Sequence, residues 1–279
     1  MRVIDSHQHF WSLSTPGHEW PTAHEAAIFR DFGPGDLAAE TAGVELEGTV
    51  LVQSQPTDAD TDWMLALARE HSIVAAVVGW VDLAAPNAVA RIEALSRDPK
   101  LRSLRPMLQS IPDTDWLLQE AVAPALDAMA SRGLRLDALV QPRHLPMLAR
   151  LAERRPDLPV VIDHAAKPHA DQGVLDPWRA DIAALADLGF YCKLSGLRTE
   201  QAAGQSADAL MPYVEHLVAA FGDRLMWGSD WPVVRLSGDD WRRWFDDSGR
   251  MAARAGADAG RLFAGAATEF YALEFDDAA

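Results

Sequence analysis

Eight apolar runs of strand length recur along the chain, at Arg2–His9, Gly48–Gln55, Ile73–Asp82, Leu101–Met107, Leu134–Gln141, Leu158–His164, Gly189–Ser195 and Arg224–Asp230. Most are continuously apolar rather than alternating, the pattern of parallel strands covered by helices. The stretches between them carry helical spacing. Trp63, Met64, Leu67 and Ala68 follow Asp60, and Trp116, Leu117, Val122, Leu126 and Met129 follow Asp113 and Asp115, which suit helix caps. Eight strand-helix repeats with no linker predict an α/β chain folded as one (β/α)8 barrel over residues 1–279. An open doubly wound sheet competes, but the chain lacks the glycine-rich turn that should follow its first strand.

With 279 residues, 49% of them hydrophobic, the chain suffices for one such barrel. Residues 11–34 are too polar and too rich in Pro, Gly and His for a helix, so a long first βα loop is expected over the barrel mouth. The acidic stretch 274–279 is expected to fray. A net charge of -16, from 25 Lys and Arg against 41 Asp and Glu, repels polyphosphate and argues against nucleic-acid or anionic-membrane partners. The single cysteine, Cys192, excludes an internal disulfide framework and fits a reducing compartment. No signal-like start and no run approaching the roughly 18 apolar residues of a membrane span are visible, so the expected location is the cytoplasm.

In a barrel, chemistry collects at the C-terminal ends of the strands. Here those ends are polar: His7 and His9, Gln53 and Gln55, Arg105, Gln141, His164 with Lys167 beyond it, Lys193 and Ser195, and Asp230. His7 and His9 stand two residues apart, so on a strand both rings share a face and can hold a divalent cation or polarise a carbonyl. Asp230, ending the last strand, faces them across a closed barrel and can take a proton from an attacking water. The plainer alternatives are a turn-capping Asp230, a hydrogen-bonded core His164, and barrel-mouth ion pairs for Arg105, Lys167 and Lys193. Trp11, Trp20, Trp80 and Trp231 fall near strand ends or in the first loop, where indoles either pack in the core or stack on sugar rings. Gln53 and Gln55 can read hydroxyls. His144 is expected in a loop or at a helix start. Ser195 lacks the elbow of a serine nucleophile.

Four stretches carry a family resemblance: Val3-Ile4-Asp5-Ser6-His7-Gln8-His9-Phe10, Val161-Ile162-Asp163-His164-Ala165-Ala166-Lys167-Pro168, Cys192-Lys193-Leu194-Ser195-Gly196-Leu197 and Trp227-Gly228-Ser229-Asp230-Trp231-Pro232. With Trp80-Val81-Asp82-Leu83 and Arg105-Pro106-Met107-Leu108-Gln109, the chain resembles the lactonase branch of the amidohydrolase superfamily over nearly its whole length. The resemblance implies hydrolysis of a sugar-derived lactone, such as L-fuconolactone or a related aldonolactone, to the free acid. Asp230, His164 and Arg105 would be catalytic, and Gln53, Trp80, Lys167, Lys193 and Trp231 would bind substrate. His7, His9, His164 and Asp230 would be metal ligands. Binuclear relatives use a Lys or Glu on strand four and a His on strand five, where this chain has Arg105 and Gln141. Arginine cannot bridge two metals, so at most one divalent ion is expected, zinc by preference, or none. The rival activities are hydrolysis of a muconolactone-type lactone, zinc-dependent decarboxylation on the same barrel, and non-catalytic sugar binding.

Overall fold

Each of the eight apolar runs coincides with a strand in the computed structural model, which describes residues 1–275, although the second strand starts two residues before its run. The strands are β1 (Val3–Gln8), β2 (Leu46–Val52), β3 (Val74–Gly79), β4 (Leu101–Leu104), β5 (Arg135–Ala138), β6 (Val160–Ile162), β7 (Tyr191–Leu194) and β8 (Leu225–Trp227). Each lies parallel to the next in chain order. After them come α1 (Pro34–Glu40), α2 (Asp58–Glu70), α3 (Ala88–Leu95), α4 (Ala123–Ser131), α5 (Leu145–Arg154), α6 (Trp178–Asp187), α7 (Met211–Phe221) and α8 (Trp241–Arg254), one per strand, and then α9 (Ala266–Tyr271). The result is a (β/α)8 barrel. Among the described residues no helix is long and apolar enough to cross a membrane.

The sheet closes between its last and first strands just beyond their C-terminal ends. The His9 N–H donates to the Trp231 carbonyl at 2.8 Å, the Asp230 N–H to the His7 carbonyl at 2.7 Å, and the Ser6 hydroxyl to the Trp227 carbonyl at 2.7 Å. Observed strands run from 3 to 7 residues, each shorter than its apolar run. Their polar C-terminal residues leave the ladder and turn into the mouth.

Alternation along the strands divides the core. Val77, Ile162, Cys192 and Leu194 pack outward under the helices, in one large apolar cluster. Ile4, Val50, Val52, Ala76, Val78, Val161 and Met226 form a smaller cluster inside the barrel, where Phe270 and Tyr271 of α9 join them and seal the floor. Of the stretch expected to fray, residues 276–279 lie outside those described, while Phe275 is half-buried with Arg2 over its ring.

Two helix readings need correction. The α2 cap is Thr57, whose hydroxyl accepts the Asp60 N–H at 3.2 Å; the Asp60 carboxylate instead takes the Ser54 and Gln55 N–H groups at 2.9 and 3.1 Å, tying down the turn after β2. The stretch from Trp116 to Met129 is not one helix. A single turn at Trp116–Leu118 precedes α4, because Pro124 lacks an N–H and tolerates only the first turn of a helix. Neither Asp113 nor Asp115 caps α4; Asp113 accepts the Asp115 N–H at 2.9 Å.

No α-helix forms between β1 and α1. This loop is stitched by paired backbone bonds between Trp11 and Phe32 and by Trp11 Nε1–H to the Arg30 carbonyl at 2.8 Å. Gln55 fastens it to β2: its Oε1 accepts the Glu19 and Trp20 N–H groups at 2.9 and 3.3 Å, and its Nε2 donates to the Trp20 carbonyl. Glu19 and Trp20 are thereby held at the rim.

Candidate active site

Asp230 Oδ1 is the centre of the mouth. The Nε2 atoms of His9, His7 and His164 lie 3.4, 3.7 and 3.9 Å from it, and all four residues are buried. Backbone geometry delivers them. Asp230 has φ +55°, and His164 to Lys167 form a run of four left-handed residues with φ between 51° and 61°. Such conformations cost about 1 kcal/mol each for L-residues. Here the run is held by the Trp178 indole N–H to the Ala165 carbonyl at 2.7 Å and by the Lys167 N–H to the His164 carbonyl at 2.8 Å. Two glycines leave room for the rings. A Cβ at Gly196 would fall 2.4 Å from His164 Nδ1, and one at Gly228 would fall 2.7 Å from His7 Cβ.

Each imidazole has a partner at Nδ1, so each directs Nε2 at the carboxylate. His9 Nδ1–H donates to the Val52 carbonyl at 2.8 Å, His164 Nδ1 pairs with the Ser195 hydroxyl at 2.9 Å, and His7 Nδ1 faces Lys193 Nζ at 3.1 Å and Asp163 Oδ1 at 3.4 Å. Burial and the neighbouring Lys193 hold the His7 ring well below its ordinary value, and burial brings His164 down to about 4. Burial alone would raise the Asp230 carboxyl, but His164, His9 and His7 around it keep it below the usual carboxylate range. At neutral pH the Asp230 carboxylate therefore stands beside neutral His7 and His164 rings. His7, His9 and Asp230 offer donor atoms within 4.8 Å of one another, and His7 Nε2 is a buried nitrogen with no hydrogen-bond partner. That donor set and the orphaned nitrogen fit a divalent cation.

The depressed His164 value sets a pH dependence for the metal-free protein. Folded His164 stays neutral down to about pH 4, whereas the unfolded chain takes up its proton near 6.5, so this stability is complete above pH 6.5 and lost toward pH 4. The size is about 3 kcal/mol. Asp5, pushed up to about 6 by burial, titrates in the opposite sense. The His164 part is therefore read as a difference: His164→Asn should show a shallower fall in urea midpoint between pH 6.5 and 4 than the unsubstituted protein. Parallel curves would contradict this.

Around the centre a cavity of about 450 Å³ is lined by His9, Glu19, Trp20, Ser54, Gln55, Pro56, Arg105, Met107, Gln109, Ser110, Leu139, His164, Lys167, Thr199, Asp230 and Val233. Arg105 donates to the Gln53 carbonyl at 2.5 Å and faces Asp163 at 3.5 Å, and Lys167 pairs with Glu200 at 3.3 Å. Four residues expected to touch substrate stand elsewhere. Lys193 is fully buried beneath the histidines, between Asp137 and Asp163 at 2.5 and 2.9 Å. Gln53 is fully buried, its amide donating to the Arg105 carbonyl at 3.1 Å, so it supports the end of β4. Trp231 is in the core, edge-on to Phe10 and Phe32. Trp80 lies outside the cavity lining, with its backbone tied to the Thr61 hydroxyl. His144 is buried in a short turn after Gln141 and accepts that residue's N–H at 3.1 Å, away from the cavity. The sequence reading missed Asp163, Asp137 and Tyr271, which underlie the histidines. A lone carboxylate inside the apolar run Leu136-Asp137-Ala138 was the visible signal, since such a group must be paired.

A family model described as Amidohydrolase matches residues 4–273. The chain is 47% identical over 279 residues to an L-fucono-1,5-lactonase of Burkholderia ambifaria, covering 97% of this chain and 96% of that one. It is 34% identical to an L-fucono-1,5-lactonase of Burkholderia multivorans, covering 97% and 96%. Among solved structures, a crystal structure of an amidohydrolase from Burkholderia multivorans with bound zinc superimposes with a TM-score of 0.90 at 32% identity, over 98% of this chain and 100% of that one.

Proposed function

The chain belongs to the amidohydrolase family, and from that premise we propose that it hydrolyses L-fucono-1,5-lactone, or a closely related six-carbon sugar lactone, to the open acid. The observation that carries this reading is the Asp230 carboxylate set among three imidazoles at the base of a polar cavity, in a chain 47% identical to a lactonase. Asp230 takes a proton from water as its oxygen bonds to the lactone carbonyl carbon. Arg105 stabilises the oxygen that gains charge, because a fixed guanidinium needs no reorganisation. The ring C–O bond then breaks, and Asp230 returns the proton to the departing ring oxygen. A carboxyl held below its usual range gives that proton up readily.

The lining also favours an uncharged ring. Arg105 and Lys167 already face carboxylates, and Glu19 adds a negative charge at the rim. A carboxylate- or sulfonate-bearing lactone would find only Lys167, already paired with Glu200, and Arg105, already facing Asp163 and assigned to the carbonyl oxygen. Trp20 offers an apolar face for a sugar ring, while Ser54, Gln55, Gln109, Ser110 and Thr199 suit its hydroxyls.

A single divalent cation, zinc by preference, would be held by Asp230 with His7, His9 and His164 as the candidate ligands. When bound it supplies Lewis-acid polarisation of the carbonyl. The test is hydrolysis of L-fucono-1,5-lactone followed by NMR of the product, before and after dialysis against a chelator, with metal analysis of both samples. We expect the open acid, about one zinc per chain, and a fall in turnover of at least 10-fold on chelation that zinc reverses. Unchanged lactone beyond its spontaneous opening would overturn the function; full activity without metal would overturn the zinc.

A further inference from the structure

Lys193 has a place in the barrel that the reaction above does not use. It is fully buried one layer below the cavity, and its Nζ lies 2.5 Å from Asp137 Oδ2, 2.9 Å from Asp163 Oδ1 and 3.1 Å from His7 Nδ1. Flanked by two carboxylates, the amine is an ammonium with N–H groups and no lone pair; it is hydrogen-bonded to Asp137 Oδ2 and His7 Nδ1, with Asp163 Oδ1 an ion-pair contact. The Tyr271 hydroxyl from α9 donates to the same Asp137 oxygen at 2.7 Å and holds it in place from the floor. A neutral imidazole carries one proton, and the partner of one ring nitrogen decides which. His9 Nδ1 faces a carbonyl and must donate, so in the neutral ring the lone pair is on Nε2. His7 Nδ1 faces an ammonium nearer than the 3.4 Å to Asp163, and must accept.

We propose that Lys193 is a positioning residue that fixes His7 as the Nε2–H tautomer, opposite to His9. The two histidines then differ in role. His9 presents a lone pair to a cation, whereas His7 presents an N–H to Asp230 or to the lactone carbonyl. Of the donors that lie within 4.8 Å of one another, a cation would then keep His9 and Asp230 and lose His7. This deepens the proposed function and rests on it, because it presumes that His7 faces the reacting carbonyl.

The tautomer can be read directly from long-range proton–nitrogen correlations of histidine-labelled, metal-free protein, with the His7 signals identified by their loss in His7→Gln. We expect Nε2–H for His7 and Nδ1–H for His9; Nδ1–H at His7 overturns the proposal. In Lys193→Met, His7 should switch to Nδ1–H facing Asp163. Zinc affinity by calorimetry should then rise at least 10-fold, and kcat should fall with KM little changed. An unswitched tautomer in that variant also overturns it, and where Lys193→Met fails to fold the unsubstituted spectrum still decides. Lactone hydrolysis with Nδ1–H at His7 would sink the inference and leave the function standing. Nε2–H without hydrolysis would do the reverse.

Discussion

Asp230→Asn is expected to lower kcat for lactone hydrolysis by about three orders of magnitude or more while the barrel stays folded. The amide keeps the shape of the carboxylate but cannot take a proton from water or return one to the ring oxygen. Asp230 holds the seam through its backbone N–H to the His7 carbonyl, a bond the substitution leaves untouched. Loss of charge also removes the anion that draws the three Nε2 atoms together, so cation binding should weaken with turnover. The measurement is kcat on L-fucono-1,5-lactone alongside circular dichroism. A variant within 10-fold of the parent would remove Asp230 from the role of base.

The second large effect is on stability. Asp163 is fully buried, and Lys193, His7 and Arg105 face it at 2.9, 3.4 and 3.5 Å. Burial alone would raise its carboxyl, but Lys193, His7 and Arg105 hold it well below the usual range. Asp163→Asn leaves buried Lys193 with Asp137 alone and takes from Arg105 the carboxylate it faces at 3.5 Å, and removing one partner of a buried pair costs about 3–5 kcal/mol. Asp36→Asn, which breaks an exposed pair with Arg30, is the contrast and should cost at most about 1 kcal/mol. Urea unfolding at neutral pH compares the two. Equal shifts would mean that the buried network adds nothing beyond a surface pair.

The barrel was legible because its signal repeats: eight apolar runs separated by one-sided helices admit few other arrangements. The centre was legible for a related reason, since a barrel places all strand C-termini at one mouth, and His7, His9, His164 and Asp230 end their runs there. Depth was not legible. Strand parity tells which way Lys193 points but not that the mouth lies one layer above it, so a residue expected to meet substrate instead braces the histidines. Its partnership with Asp137 spans 56 residues of sequence, and no local pattern announces such a pair. The tryptophans misled for a similar reason. An indole such as Trp231 near a strand end serves the core as readily as a cavity, and only the packing around Phe10 and Phe32 separates the two uses. Glu19, Gln109, Ser110 and Thr199 come from irregular segments, where no period marks which side chain faces inward.

The seam between β8 and β1 places Asp230 beside His7 and His9 where the two ends of the sheet meet, with Ser229 and Asp5 bonded across a separation of 224 residues. Such distant pairing is entropically late, because nearly the whole chain must be ordered before it forms. With Asp230 as the proposed base, a nascent or partly unfolded barrel that holds imidazoles without their carboxylate is expected to be inert toward the lactone. Catalytic competence in this architecture is a proofreading signal for ring closure: only molecules that have completed the circle can act.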